Sequence, residues 1–327
     1  MNRFKPAYQL GVLPLVLIVA GIVLAIVAPG LKANVVLTLQ LGTVYVLFAV
    51  STNLLLGKTG LLSFGQAVFF GTGAYVMALG ASTLKWPLWL TVIAAIAVPT
   101  ILSMVIGALA LRTRKFYFGL ITLAFSQLFA TLSRQFYGLT GGDTGIFGLD
   151  LPPWLVRPAD SFKLTLAVVI VCVILLWFIT KSPFGETLGA IKENRQRAQA
   201  LGIDVYRHEW IAFVIAGLFT GVAGLMFAIG QQAAYPTLLD WQTSGIPLFM
   251  SLIGGMNSFW GPIVGAIIFH FGRQALVTYT SHWQLFFGLV ILVVVLFAPN
   301  GIAGLVDVIR RRIRRGRNAK KKDEGKS

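Results

Sequence analysis

The chain has 327 residues, of which 57% are hydrophobic and only 12% are charged, and its mean hydropathy is +0.81. This composition excludes a soluble globular protein and predicts an all-α, polytopic integral membrane protein. The net charge of +16 does not by itself indicate nucleic-acid binding, because its meaning depends on where the Lys and Arg residues lie.

Apolar runs of a length that crosses about 30 Å of hydrocarbon recur along the chain. The run at 243–256 is short and rich in glycine, so it is either a span or a re-entrant segment. The predicted number of transmembrane helices is therefore eight to ten, within a permease domain over 1–309 that precedes a basic tail over 310–327. The candidate spans are 10–28, 34–55, 61–83, 87–111, 116–134, 163–180, 210–230, 243–256, 261–279 and 283–299.

The placement of basic residues predicts the orientation of these spans. With ten spans and a cytoplasmic N-terminus, 21 of the 27 Lys and Arg residues fall in cytoplasmic segments, five fall outside and one, Arg273, lies within a span. This asymmetry follows the positive-inside rule and places both termini and the segment 183–209 in the cytoplasm. Nine basic residues between Arg310 and Lys322 are typical of contact with anionic membrane lipid. The predicted partner of this charge is therefore lipid and not nucleic acid.

The first unusual segment, 53–75, carries glycines at positions 57, 60, 65, 71 and 73. Each would weaken a soluble helix by about 1 kcal/mol. In a membrane, Gly with Ser and Thr permits a broken helix whose freed backbone groups line a polar cavity. We therefore predict a translocation path with Thr59, Ser63 and Gln66 as its polar side chains. Close helix packing without a ligand is the alternative.

The longest external connection, about 135–162, contains Thr140-Gly-Gly-Asp-Thr-Gly145 followed by Pro152-Pro153-Trp154. The glycines allow positive φ, and such a backbone can present its amides to an anion such as a carboxylate. This adds Asp143 and Thr144 to the candidate path. The alternative is a surface turn with Trp154 as an interfacial anchor.

The segment 183–209 is the longest polar stretch between apolar runs. Ser182 and Pro183 are typical of a helix start, and Gly202 is typical of a helix end. Apolar residues recur on one helical face, interrupted by Arg195. The pattern predicts one amphipathic helix outside the bilayer. The apolar positions of this face are Phe184, Leu188, Ile191, Ala198 and Leu201.

The chain offers little chemistry of its own. It has three His and one Cys, and its acidic residues form no metal-binding cluster, so we predict no catalytic, metal or cofactor site and disfavour a membrane enzyme. A proton- or sodium-coupled carrier commonly places acids or His inside its spans, and these spans contain almost none. Energy must then enter from another protein, and the amphipathic helix is the predicted entry point.

Several of these segments resemble the branched-chain amino-acid ABC transporter permeases. The resemblance covers roughly 35–300, and the chain length and the 135–162 connection resemble the larger of the two paralogous subunits in that family. The matching stretches are Phe184-Gly-Glu-Thr-Leu-Gly-Ala-Ile-Lys-Glu-Asn194 with Ala200-Leu-Gly-Ile-Asp-Val205, then 53–75, Thr140-Gly-Gly-Asp143 and Leu252-Ile-Gly-Gly-Met-Asn-Ser-Phe-Trp-Gly-Pro262.

The resemblance implies a subunit of an importer in the bacterial inner membrane. Its expected partners are a second paralogous permease, two cytoplasmic ATP-binding subunits and a periplasmic substrate-binding protein. The 183–209 segment would be a coupling helix docked on an ATP-binding subunit. Gln196 and Gln199 depart from the acids or small residues common in relatives. The implied substrate is a branched-chain or related hydrophobic amino acid, with urea or short amides as the alternative. The coupling residues carried over are Ala190, Glu193, Asn194, Ala200, Leu201 and Gly202.

Overall fold

In a computed structural model of the chain, the described residues are 12–113, 115–279 and the positions 282, 285, 286, 288, 289, 292 and 301. They form thirteen α-helices and one small antiparallel sheet. The tail 310–327 and most of the predicted span 283–299 lie outside the described residues. The helices are α1 Val12–Val27, α2 Ala33–Asn53, α3 Gln66–Ala78, α4 Leu88–Ala110, α5 Lys115–Gln135, α6 Tyr137–Thr140, α7 Pro153–Val156, α8 Pro158–Lys181, α9 Pro183–Glu193, α10 Arg195–Ala200, α11 Val205–Gln231, α12 Trp241–Gly254 and α13 Trp260–Tyr279, and the strands are β1 Ile146–Phe147 and β2 Ala233–Ala234.

Five helical stretches are long and apolar enough to cross a membrane, namely Ala33–Thr59, Leu88–Ala110, Phe116–Gln135, Pro158–Lys181 and Val205–Gln231. The first of these joins α2 to a π-helical turn, Leu54–Thr59. They coincide with five of the predicted spans, so the all-α membrane class is confirmed.

The run at 243–256 corresponds to α12, whose 14 residues span only about 21 Å. By itself α12 is therefore too short to cross the hydrocarbon.

The core is built around α11, which contacts α2, α3, α4 and α8. Small residues make this close packing possible, because an added Cβ on Gly224 would meet the carbonyl oxygen of Phe70, and one on Gly73 would meet that of Gly221. Gly221 also faces the ring of Pro99 in α4. Membrane helices gain association energy by such backbone approach, since lipid offers no hydrophobic driving force between them.

The two ends of the bundle differ in what they carry. One end, here called the α9 end, holds α9, α10 and the loop 255–259. Lys192 in α9 donates hydrogen bonds from its Nζ to Gly57 O in the π-helical turn (2.9 Å) and to Asn257 Oδ1 in the loop (3.0 Å). The other end, the β end, holds the pairing of Ile146 with Ala234. Each long helix runs between these ends, so any membrane lies between α9 and the β-sheet.

Candidate functional site

The predicted amphipathic helix is two helices and not one. α9 begins where predicted, with Ser182 Oγ accepting a hydrogen bond from Gly185 N at 3.4 Å. It ends at Asn194, which has φ −155° and ψ 101° and whose Oδ1 accepts from Arg197 N at 2.9 Å. Asn is favoured at an N-cap because its side-chain oxygen accepts a hydrogen bond from a backbone N–H of the first helical turn, which has no partner within the helix. The prediction of one continuous helix is therefore wrong, and Asn194 starts α10.

The buried face of this segment departs from the prediction at Leu201. Leu188, Ile191 and Ala198 are buried, as the pattern predicts. Leu201 was expected on the same face but is 75% exposed, because it lies beyond the last residue of α10, Ala200, where the helix has ended. Gly202 has φ +81°, which confirms the predicted helix end.

All six predicted coupling residues lie on the outer surface of α9, α10 and the turn after α10. Their side chains or backbone face away from the bundle and are accessible to another protein. They are Ala190, Glu193, Asn194, Ala200, Leu201 and Gly202, all exposed. We call this set the α9–α10 surface. Its role in coupling stays a prediction.

Two polar contacts fix the α9–α10 surface to the bundle. Lys192 binds Gly57 and Asn257, as described above. Arg195 Nη1 lies 3.2 Å from Glu209 Oε2, and the Glu209 side chain is fully buried in the first turns of α11. This pair explains why a cation interrupts the apolar face of the segment. α9 and α10 are thereby bonded to the π-helical turn after α2, to α11 and to the loop before α13.

The glycine-rich segment contains the predicted break. The residues 60–65 are not helical, between the π-turn and α3. The freed backbone is bonded by hydroxyl side chains of other helices. Phe64 N donates to Thr122 Oγ1 at 3.1 Å, and Phe64 O accepts from Ser126 Oγ and Ser244 Oγ, both at 2.7 Å. Non-helical backbone inside a membrane requires such partners.

The polar side chains predicted for the path are buried in this conformation. Thr59 Oγ1 donates to Leu55 O at 2.7 Å, and Ser63 Oγ accepts from Gly65 N at 3.2 Å. Gln66 Oε1 accepts from Thr220 Oγ1 at 3.0 Å. The structure therefore places all three at the break, facing other parts of this chain, and whether they contact a substrate stays a prediction.

Asp143 and Thr144 lie outside the break, at the β end, and both are exposed. Asp143 Oδ1 is 3.7 Å from Nε of Arg134, whose Nη2 also binds both carboxylate oxygens of Asp240 at 2.9 and 2.8 Å. This ion-pair cluster was not predicted from the sequence. Its members are separated by up to 106 positions, and neither the hydropathy pattern nor a motif connects them.

Apolar helices of membrane-spanning length, a hydroxyl-bonded break after the first of them and an exposed amphipathic helix pair are the features of a polytopic α-helical membrane protein. The chain belongs to the family described as the branched-chain amino acid transport system / permease component, whose model matches residues 34–297. Members of this family are transport components and not enzymes.

Three relatives illustrate the range of similarity. The high-affinity branched-chain amino acid transport system permease protein LivM of Escherichia coli strain K12 is 25% identical over 313 residues, which cover 87% of this chain and 74% of the relative. The probable LivM permease of Methanocaldococcus jannaschii is 22% identical over 64% of this chain and 67% of its own. The LivH permease of Salmonella typhimurium is 24% identical over 82% of this chain and 94% of its own. No solved structure matches the chain significantly.

Proposed function

We propose that this chain is the larger permease subunit of an ATP-driven ABC importer that carries branched-chain or related hydrophobic amino acids across the bacterial inner membrane. The relatives named LivM and LivH are permeases of branched-chain amino-acid transport. The similarity to two different permeases supports an assembly of two paralogous subunits. The energy would come from two separate cytoplasmic ATP-binding subunits, and a periplasmic binding protein would deliver the substrate.

The observation that carries this proposal is the exposure of the α9–α10 surface together with its rigid attachment. An exposed leucine such as Leu201, beside a glycine without side chain, fits an apolar groove of a partner protein. Lys192 and Arg195 then connect the docked helices to the bundle. Closure of the ATP-binding subunits would move this surface, and the helices would rock between inward-open and outward-open arrangements.

The translocation path is proposed to pass beside the break at 60–65. There, α5 and α12 contribute the hydroxyls that bind Phe64, and Leu62 is 43% exposed. Helix α5 also exposes Phe116, Tyr117 and Leu120, so the second permease subunit would close the path from that side. Rearrangement of the break would bring Thr59, Ser63 and Gln66 to the substrate, and Asp143 and Thr144 would lie near its entrance.

The test of coupling is Leu201→Glu. Because Leu201 is exposed, the substitution leaves the fold intact, but a carboxylate in an apolar groove of the partner costs several kcal/mol. We expect leucine uptake to fall by more than about tenfold and the ATP-binding subunits to be lost on purification.

The matched control is Leu139→Glu, an exposed leucine at the β end (52% exposed), which should keep the ATP-binding subunits. Wild-type uptake by Leu201→Glu cells would contradict the coupling assignment.

Competition of labelled leucine with unlabelled valine, urea and acetamide defines the substrate class, and displacement by urea but not by valine would contradict an amino-acid importer.

A further inference from the structure

A small polar pocket lies at the α9 end, where α2, α8 and the loop before α13 meet. It has a volume of about 90 Å³ and is lined by Lys58, Lys181, Asn53, Asn257 and Ser258 on its polar side. Val50, Leu54 and Phe259 line its apolar side. No carboxylate lines the pocket, although it is large enough for a phosphate-sized group.

An apolar groove of about 320 Å³ follows the same helices further into the bundle. On α2 it is lined by Leu39, Thr43 and Val46, and the pocket continues this face at Val50, Asn53 and Gly57. The spacing of three or four residues keeps all of these positions on one side of the helix. On α8 the groove is lined by Leu166, Val169 and Val173, and the pocket by Thr180 and Lys181. The groove, which α1 and α13 also line, and the pocket therefore lie along the same faces of α2 and α8, and we call the two together the α2–α8 seam.

The charges around the pocket are predominantly positive. Lys58 interacts electrostatically with Glu186 first, and then with Lys181 and Lys192. Neither Lys58 nor Lys181 forms an ion pair with any described residue, whereas Lys192 binds Gly57 O and Asn257 Oδ1. The single Glu186 carboxylate faces three lysines, so their mutual repulsion is only partly offset, and an anion in the pocket would relieve the remainder.

Asn53 supplies a second, independent indication of a ligand. Its side chain lines the pocket and the residue is only 8% exposed. Nδ2 donates to Met256 O at 3.2 Å, but Oδ1 has no hydrogen-bond partner within the described part of the chain. A buried acceptor without a partner costs about 1–3 kcal/mol, so a ligand hydroxyl at this position would be stabilising.

We propose that this seam binds an anionic glycerophospholipid of the phosphatidylglycerol type. The phosphate lies between Lys58 and Lys181, a headgroup hydroxyl donates to Oδ1 of Asn53, and an acyl chain occupies the apolar groove. The 12 residues from Val46 to Lys58 cover about 18 Å of helix, which matches one lipid leaflet of about 15 Å with part of its interface. The proposal requires only that the α9 end faces a membrane surface, and it holds for any transported substrate.

The test uses the purified transporter complex in nanodiscs or detergent, with lipids added back and retention measured by native mass spectrometry. We expect phosphatidylglycerol to be retained in preference to phosphatidylcholine of the same chain length. Lys58→Gln with Lys181→Gln should weaken phosphatidylglycerol binding about 30-fold, equivalent to about 2 kcal/mol for two lysines. Arg112→Gln, which removes an exposed cation outside the pocket, should leave binding unchanged.

A second variant tests the groove without altering charge. Ile267 lines the groove and is 46% exposed, so Ile267→Trp should fill the groove and reduce phosphatidylglycerol retention while the complex stays folded. Equal retention of both lipids, wild-type binding by the double lysine variant, or displacement of the lipid by millimolar inorganic phosphate would each overturn the proposal. The last result would indicate a soluble anion. A cross-link from the groove to residues 290–300 instead of lipid would also overturn it, because the chain itself would then fill the seam.

Discussion

At the scale of single residues, Glu209 is the buried group on which attachment of the α9–α10 surface depends. Its carboxylate is fully buried and pairs with Arg195, whose side chain is 33% exposed. Removing one partner of a buried pair leaves a charge in a poorly solvated site and costs about 3–5 kcal/mol, which partial exposure of the arginine reduces to about 2 kcal/mol. We therefore expect Arg195→Leu to lower the free energy of unfolding by about this amount, measured by denaturant titration of the purified protein.

Arg197 provides the matched control, because it lies on the same short helix and is exposed. Arg197→Leu should change the unfolding free energy by less than about 0.5 kcal/mol. In a double variant, Glu209→Gln should recover part of the loss caused by Arg195→Leu, since it removes the buried charge. Equal effects of the Arg195 and Arg197 substitutions would show that the ion pair contributes nothing to stability.

At the scale of elements, the contact between α3 and α11 depends on glycine at Gly224. An added Cβ there would meet the carbonyl oxygen of Phe70 and push the two helices apart. Overpacking of this kind typically costs about 1–3 kcal/mol, so Gly224→Ala should lower the thermal midpoint of the purified protein. Gly189 in α9 has open space around its Cα, and Gly189→Ala should be neutral or slightly stabilising. A thermal midpoint unchanged by Gly224→Ala would contradict the close approach of the helices.

The elements also show how far the sequence predicts the structure. Hydropathy located the five long helices because the preference of a side chain for lipid depends on its residue type. The glycines of 53–75 indicated a break because glycine tolerates non-helical backbone, but they did not say at which residues it falls. The turn at Asn194 was missed because the apolar spacing of Leu188, Ile191 and Ala198 is the same whether or not the helix is interrupted. The ion pair between Arg134 and Asp240 forms only when distant elements pack against each other. The local sequence pattern therefore could not predict it.

At the scale of the whole molecule, the α9–α10 surface and the ion-pair cluster around Arg134 lie at opposite ends of the bundle. The proposed importer would require this separation, because its proposed energy-supplying and substrate-delivering partners lie on different sides of the membrane. The break at 60–65 lies between the two ends, where α5 and α12 contact it. In the proposed mechanism, motion that starts at Lys192 or Arg195 would act through α2 and α11 on the helices next to the proposed path.

The orientation of the molecule can be tested with single cysteines. The chain has one cysteine, Cys172, which is buried, so a Cys172→Ala background carries no native thiol. Thr144→Cys at the β end and Gln199→Cys in α10 are both at exposed positions. Because the distribution of basic residues predicts that 183–209 is cytoplasmic, a membrane-impermeant maleimide should label Thr144→Cys in intact cells but label Gln199→Cys only after the membrane is opened. Labelling of Gln199→Cys in intact cells would place α10 outside, where no cytoplasmic ATP-binding subunit can reach it, and would contradict the proposed coupling.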